Sequence, residues 1–143
     1  MSGLYLDTSV LVAYYTPEVH SAQAEAAILA ATDRVVSPLC LSEANAALRA
    51  KAFPGSISLP NAITARDRFR AHYNAGFYRM TPIDERHFEQ AADLAWQLGL
   101  ELRMLDALHL VAAQAAGLHL ATADERLRDT ALAANVVVVW AGA

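Results

Sequence analysis

The chain has 143 residues, of which 55% are hydrophobic and 18% charged, and its net charge is −4 at pH 7. This length suits one domain over residues 1–143, with enough apolar residues to bury a core and no Gly/Ser-rich or Pro-rich linker. A single cysteine excludes an internal disulfide. The absence of a signal sequence or a run of ~20 apolar residues leads us to expect a cytoplasmic protein.

Strands and helices are expected to alternate along the chain. The apolar run 4–6 predicts a strand, Asp7-Thr8-Ser9 a helix start, and residues 10–14 a helix. A helix is expected over 18–31, a strand over 34–37 and another helix from Pro38. After a loop through Pro60, we predict helices at 61–75, 84–98, 105–116 and 124–133, and strands at 79–81, 118–121 and 136–140.

This alternation is typical of an α/β fold. It predicts a three-layer α/β/α sandwich, with a central, mainly parallel sheet covered by helices on both faces. In such sheets ligands bind at the carboxyl ends of the strands. Asp7 and Asp124 each follow a predicted strand and are expected at that edge.

Four acidic residues stand where a folded α/β domain should resist charge. Asp7 and Asp124 follow apolar strands, while Glu43 and Asp106 interrupt apolar helical stretches. A charge in a core position must be paired, neutralised or bound to a metal. Oxygen-rich sites suit Mg²⁺ or Mn²⁺, so a divalent cation shared by the four carboxylates is the most economical explanation.

Each acid also has a simpler explanation when it is taken alone. Asp7 and Asp124 are well placed to cap the helices that follow them, and Glu43 can be a solvated helical residue. His109 stands three residues after Asp106, so those two side chains can form a buried hydrogen-bonded pair.

Motifs along the whole chain resemble the PIN-domain ribonucleases, and within them the VapC toxins of bacterial toxin–antitoxin pairs. The similar segments are LYLDTSVLVAYY at 4–15, SEANAAL at 42–48, LRMLDALHLVAA at 102–113 and LATADERL at 120–127. The resemblance implies an endoribonuclease that depends on Mg²⁺ or Mn²⁺, is held inactive by a cognate antitoxin protein and commonly forms a homodimer. By position, the residues that match the acidic set of the family are Asp7, Glu43, Asp106 and Asp124. The residues that fall at its supporting hydroxyl positions are Thr8, Ser9 and Thr122, with Asn45 and His109 as further candidates.

The acidic net charge does not exclude an RNA substrate. The eleven acids outside the suspected site balance the eleven basic residues of the chain, and bound cations would make the site attractive to phosphate. Arg66 and Arg70 share one helix face, and Arg103 precedes the Asp106 helix. With Arg49, Lys51, Tyr73 and Arg79 they can line a groove for the RNA backbone, although a solvated helix face explains them equally well.

Two other functions remain open at this point. A strand ending in LYLDTS also resembles the Mg²⁺-dependent phosphohydrolases of the haloacid-dehalogenase type, but those need a second aspartate where this chain has Ser9. The other alternative is a PIN-like module that binds RNA or protein without cleaving.

If the chain is a ribonuclease, hydrolytic cleavage by activated water is expected to leave 5′-phosphate and 3′-hydroxyl ends.

Overall fold

A computed structural model describes residues 3–99 and 101–143. The strands are β1 (Leu4–Leu6), β2 (Arg34–Val36), β3 (Arg79–Met80), β4 (His119–Thr122) and β5 (Val138–Trp140). The helices are α1 (Thr8–Tyr15), α2 (Ser21–Ala30), α3 (Pro38–Ala52), α4 (Leu59–Asn74), α5 (Glu85–Leu98), α6 (Met104–Ala115) and α7 (Glu125–Ala133). In this described part of the chain, no helix is both long and apolar enough to cross a membrane.

The strands form one sheet in the order β3-β2-β1-β4-β5, and every neighbouring pair is parallel. The central pair has Leu4, Tyr5 and Leu6 opposite His119, Leu120 and Ala121. The predicted α/β fold with a parallel central sheet is therefore confirmed.

The connections that follow β1 and β4 run toward opposite edges of the sheet. From β1 it moves through α1–α4 toward β3, and from β4 it moves through α7 to β5. Right-handed crossovers place helices of these two directions on opposite faces of the sheet. Helix α1 packs on α2, α3 and α4, whereas α6 packs on α5 and α7, in agreement with two helical layers. The reversal between β1 and β4 opens a crevice at their carboxyl ends, where ligands bind in folds of this kind.

The core lies on both faces of the sheet because its short strands are almost entirely apolar. Tyr5, Leu6, Val35, Val36 and Leu120 are fully buried. A parallel sheet covered on both faces favours such continuous apolar strands. Polar residues placed directly after these strands are therefore held at the rim of a rigid core.

Three predicted boundaries were wrong by a few residues, each for a local reason. Helix α4 begins at Leu59 rather than Asn61, because Ser58 caps it and proline is tolerated in a first helical turn. Strand β5 begins at Val138 rather than 136, because the Val136 amide donates to the carbonyl of Ala131 at the end of α7. Helix α2 begins at Ser21, whose hydroxyl accepts from the Glu18 amide in the preceding turn.

Candidate active site

The crevice between β1 and β4 brings Asp7 next to Thr122. Asp7 directly follows β1, Thr122 ends β4, and the Asp7 amide donates to the Ala121 carbonyl at 3.2 Å. The parallel register of these two strands thus fixes the first predicted acid beside one of the predicted hydroxyls.

Asp7 is buried, with only 4% of its surface exposed, and both of its carboxylate oxygens accept hydrogen bonds. Oδ1 accepts from the Ser9 hydroxyl at 2.6 Å and from the Val10 amide at 3.2 Å, and Oδ2 accepts from the Thr122 hydroxyl at 2.9 Å. Asp7 is therefore the N-cap of α1, as its position after a strand suggested. Burial raises the pKa of the Asp7 carboxyl, although these hydrogen bonds work in the opposite direction.

The two hydroxyls that hold Asp7 also order the turn after β4. The Ser9 hydroxyl accepts from the Ala123 amide at 2.9 Å, and the Thr122 hydroxyl accepts from the Asp124 amide at 3.0 Å. Asp124 caps α7 through Oδ1, which accepts from the amides of Arg126 and Leu127. One hydrogen-bond network thus links both strand-end acids.

Glu43, half-buried on α3, is held by two side chains. Its Oε1 accepts from the Thr8 hydroxyl at 2.9 Å and forms a short contact with His109 Nε2. Although burial works against the charged carboxylate, the hydrogen bonds from His109 and Thr8 lower the pKa of Glu43. Burial likewise opposes protonation of His109, but the neighbouring Cys40 and Glu43 side chains prevail and raise the pKa of its imidazole to about 10. Glu43 is thus one half of an ion pair.

The alternative in which His109 is satisfied by Asp106 is wrong. His109 uses Nε2 for Glu43, and its Nδ1 lies 2.7 Å from the Tyr5 hydroxyl on β1. The Tyr5 hydroxyl also lies 2.8 Å from that of Ser37. A buried imidazole needs partners for both nitrogens, and it finds them on β1 and α3 rather than on its own helix.

Asp106 differs from the other three acids because its charge is poorly compensated. It is only 8% exposed, and its Oδ2 is buried without a hydrogen-bond partner among the residues described. Burial raises the pKa of the Asp106 carboxyl, and the charges of Asp124 and Glu43 raise it further, whereas Arg103 lowers it. Asp124 and Glu43 therefore lie close enough to Asp106 to repel its charge.

These properties fit a divalent cation. The side chains facing the crevice offer carboxylate and hydroxyl oxygens, which are the ligands preferred by Mg²⁺ and Mn²⁺. The buried, unpartnered oxygen of Asp106 is an acceptor that a cation would satisfy. Within residues 3–99 and 101–143, no three His, Cys, Asp or Glu side chains come together as a group that could hold a metal ion. The acids are therefore not gathered into a metal site in this structure.

The predicted basic residues are spread over the surface. Arg103 is exposed at the start of α6 and lies near enough to Asp106 to affect it. Arg66 pairs with the adjacent Asp67, and Arg70 is exposed on the same helix. Of these three arginines, Arg103 has the clearest connection to the site.

Two of the further basic candidates are paired with acids, while Arg49 lines a surface pocket together with Arg66. Arg79 makes a two-pronged ion pair with Asp33 at the amino edge of the sheet, opposite the acids. Lys51 pairs with Glu18 at 2.5 Å. Asn45, the further candidate on α3, donates to the Leu41 carbonyl of its own helix. Local partners thus occupy three of the polar side chains that were candidates for the site.

Two features of this region leave no signal in the amino-acid sequence. In the sequence, Tyr5 is one more apolar residue of β1. In the structure, its hydroxyl lies within hydrogen-bond distance of His109 Nδ1. His20 and Lys51 line a cavity that continues from the crevice, together with Thr8, Ser9 and Asp124. No spacing in the sequence links these positions, since they come from separate elements.

The phosphohydrolase alternative requires a second aspartate two residues after Asp7. Ser9 occupies its position and donates its hydroxyl proton to Asp7. A serine hydroxyl, unlike a carboxyl group, cannot serve as the general acid of such a phosphatase.

Comparisons with known proteins identify relatives of the whole chain. Residues 4–132 match the family model for the PIN domain. The chain is 32% identical over 142 residues to ribonuclease VapC46 of Mycobacterium tuberculosis, covering 97% of this chain and 98% of that protein.

Solved structures show the same fold at lower identity. VapC20 of Mycobacterium tuberculosis, described as a sarcin–ricin loop cleaving toxin, superimposes with a TM-score of 0.71 at 18% identity, covering 94% of this chain and 97% of that one. A chain of a toxin–antitoxin complex from Klebsiella pneumoniae gives 0.67 at 19% identity, covering 96% of each chain. With a family match over most of its length, this chain belongs to the PIN-domain family.

Proposed function

We propose that this protein is a divalent-cation-dependent endoribonuclease and the toxin of a type II toxin–antitoxin pair. The observation that carries the proposal is the crevice at the carboxyl edge of the sheet, where Asp106 keeps a buried oxygen without a partner beside other acids. The relative that is 32% identical over nearly the whole chain is named a ribonuclease. An acidic crevice of this kind suits cleavage of a phosphodiester once cations are bound.

In this proposal Asp7 and Asp106 hold the principal Mg²⁺, for which Mn²⁺ is a plausible substitute. Glu43 and Asp124 complete its surroundings or hold a second ion. A divalent cation in such a site activates water and stabilises the negative charge that develops on phosphate. A separate histidine base is then unnecessary, in keeping with His109 being committed to Glu43.

The remaining residues of the site position these acids. Ser9 and Thr122 hold Asp7 through both of its oxygens, and Thr8 holds Glu43. Hydrogen bonds to the groups behind a ligand fix its orientation and tune its basicity. Arg103, exposed beside Asp106, is suited to contact a phosphate of the RNA.

The partners follow from the same assignment. A solved relative comes from a toxin–antitoxin complex, and we propose that an antitoxin protein covers the crevice of this chain in the same cell. We also propose a homodimer, as the resemblance to VapC toxins implies, with RNA as substrate in the cytoplasm.

The test is cleavage of RNA by the purified protein with and without Mg²⁺. Wild type is expected to cut internally and leave 5′-phosphate ends, and EDTA is expected to stop it. Asp7→Asn should lose activity by orders of magnitude. Asp93→Asn is the matched control, because Asp93 is exposed on α5.

Three results would contradict the proposal. Cleavage that is unchanged in EDTA would show that no divalent cation is required. Cyclic-phosphate ends would indicate attack by the 2′-hydroxyl instead of water. Equal cleavage by Asp7→Asn and the control would show that the acids are not the site.

A further inference from the structure

A cavity of about 700 Å³ continues from the catalytic crevice. Thr8, Ser9 and Asp124 form the end shared with the crevice, and the other walls come from α1, the turn before α2 and the end of α3. This volume lies within the range of small-molecule sites, ~300–1,000 Å³. A substrate phosphate among the acids would therefore place its neighbouring nucleotide at the mouth of the cavity.

The wall of the cavity is mostly apolar. Val12, Ala47, Ala50 and Pro54 form much of it. Side chains this small leave room between α1 and α3, and an apolar wall favours a flat, uncharged group over a hydrated one. The backbone of an RNA does not meet this description, but a base does.

The charged residues of the cavity cancel one another. Lys51 and Glu18 form an ion pair at 2.5 Å, with 21% and 30% of their side chains exposed. The Lys51 charge is thus already neutralised, and Asp124, which also lines the cavity, is acidic. A phosphate would meet no net positive charge from these three side chains, whereas the donors and acceptors of a base edge can bond to both members of the pair.

His20 adds a ring to the wall. It precedes α2, makes no side-chain capping bond, and its Nδ1 is buried with no partner among residues 3–99 and 101–143. The ring offers a face for stacking and Nε2 as a further hydrogen-bonding atom, which are the means by which proteins hold unpaired RNA bases.

We propose that this cavity is a nucleobase pocket that receives the base next to the scissile phosphate and sets the cleavage preference of the enzyme. The inference rests on the proposed ribonuclease function, since it assigns a substrate subsite to the same crevice. His20, Lys51 and Glu18 contact the base, and Val12 and Ala47 pack against it.

The test combines changes in the pocket with removal of the base. Two RNA oligonucleotides containing a mapped cleavage site are compared, one intact and one abasic at the nucleotide next to the cut. Wild type should lose about 10- to 100-fold in kcat/KM on the abasic RNA, in line with ~1–3 kcal/mol for a stacked base. Ala47→Leu fills the pocket and should cut both RNAs at the same low rate.

Two further variants make the result interpretable. Ala46→Leu is the matched control, because Ala46 is the preceding residue of α3, is exposed and does not line the cavity. It should keep the wild-type ratio between the two RNAs. His20→Ala adds no bulk, so it tests the pocket even if Ala47→Leu does not fold, and it should bring the ratio toward one.

The outcomes separate this inference from the function on which it depends. If wild type cuts neither RNA with Mg²⁺ present, the ribonuclease assignment itself fails. If wild type cuts the intact and the abasic RNA equally, the enzyme is a ribonuclease but the pocket does not bind a base. An unchanged ratio in both Ala47→Leu and His20→Ala would overturn the inference in the same way, leaving the cavity to a protein partner.

Discussion

Replacing Asp106 by asparagine should stabilise the metal-free protein while it abolishes activity. Asp106 is 8% exposed, its Oδ2 lacks a partner among the described residues, and other acids repel it. A buried polar group without a hydrogen bond costs about 1–3 kcal/mol, and more when it is charged. Asparagine keeps the size and removes the charge. We expect a net gain of about 1 kcal/mol, or about 2–4 °C in the melting temperature of a chain this long.

The assay is thermal unfolding in EDTA and again in Mg²⁺. A ligand present at about 100 times its Kd stabilises the folded state by about 2.7 kcal/mol, so Mg²⁺ should raise the melting temperature of wild type by about 5–10 °C. The rise should be much smaller for Asp106→Asn. Asp93→Asn, exposed on α5, should respond to Mg²⁺ as wild type does and differ from it by no more than about 0.5 kcal/mol.

The pH dependence of stability provides a second test of the same variant. Burial first, and then the neighbouring acids, raise the pKa of Asp106 in the folded protein above its usual value. The folded state therefore binds this proton more readily than the unfolded state, and the metal-free wild type recovers stability as the pH falls through the raised pKa. The advantage of Asp106→Asn in EDTA should be largest near neutral pH and should disappear below the ordinary pKa of aspartate. A variant that melts below wild type in EDTA at neutral pH, or gains as much from Mg²⁺, would refute this account of the site.

Three other predictions concern residues other than the four acids. Thr122→Val removes the hydroxyl that donates to Asp7 and accepts from the next turn, so it should cost about 1–3 kcal/mol in urea unfolding and move the acidic limb of the pH–rate profile upward. Burial, together with a nearby guanidinium, lowers the pKa of His72; stability should therefore fall as the pH drops from above 6.5 through the lowered pKa, and His72→Gln should flatten that part of the melting curve against pH. Replacing Arg66 and Arg70 together by glutamine should weaken RNA binding and reduce its salt dependence, if these residues contact phosphate. An unchanged salt slope in a filter-binding titration would leave them as a solvated face.

The fold could be predicted because each element is encoded locally. Short apolar runs such as 4–6 and 118–121 end at polar or turn residues, and the helices between them are long and rich in alanine. Parallel order follows from that alternation, since a helix must return the chain to the same end of the sheet. The boundaries that were wrong depended on a cap or a single carbonyl, and such contacts leave little trace in hydrophobic patterning.

The candidate site was predictable in position but not in its connections. Acids after strands must lie at the carboxyl edge, so the places of Asp7 and Asp124 followed from topology. The partner of His109 did not, because Tyr5 and His109 are 104 residues apart and meet only when β1 and α6 pack together. A local rule instead favoured Asp106, three residues away on the same helix. The long-range pair prevailed because it satisfies both nitrogens of a buried ring.

The hydrogen bonds to their carboxylates distinguish Asp7 and Glu43 from Asp106. Asp7 and Glu43 are fixed by hydrogen bonds from other side chains, so their orientations are set by the protein itself. Asp106 has a buried oxygen with no partner among the described residues, and the charge of Asp124 raises its pKa. These two fixed carboxylates define where a cation would be held, and a poorly compensated acid gains most when that cation neutralises it. The electrostatic cost of the crevice is therefore concentrated at Asp106, where metal binding would relieve it.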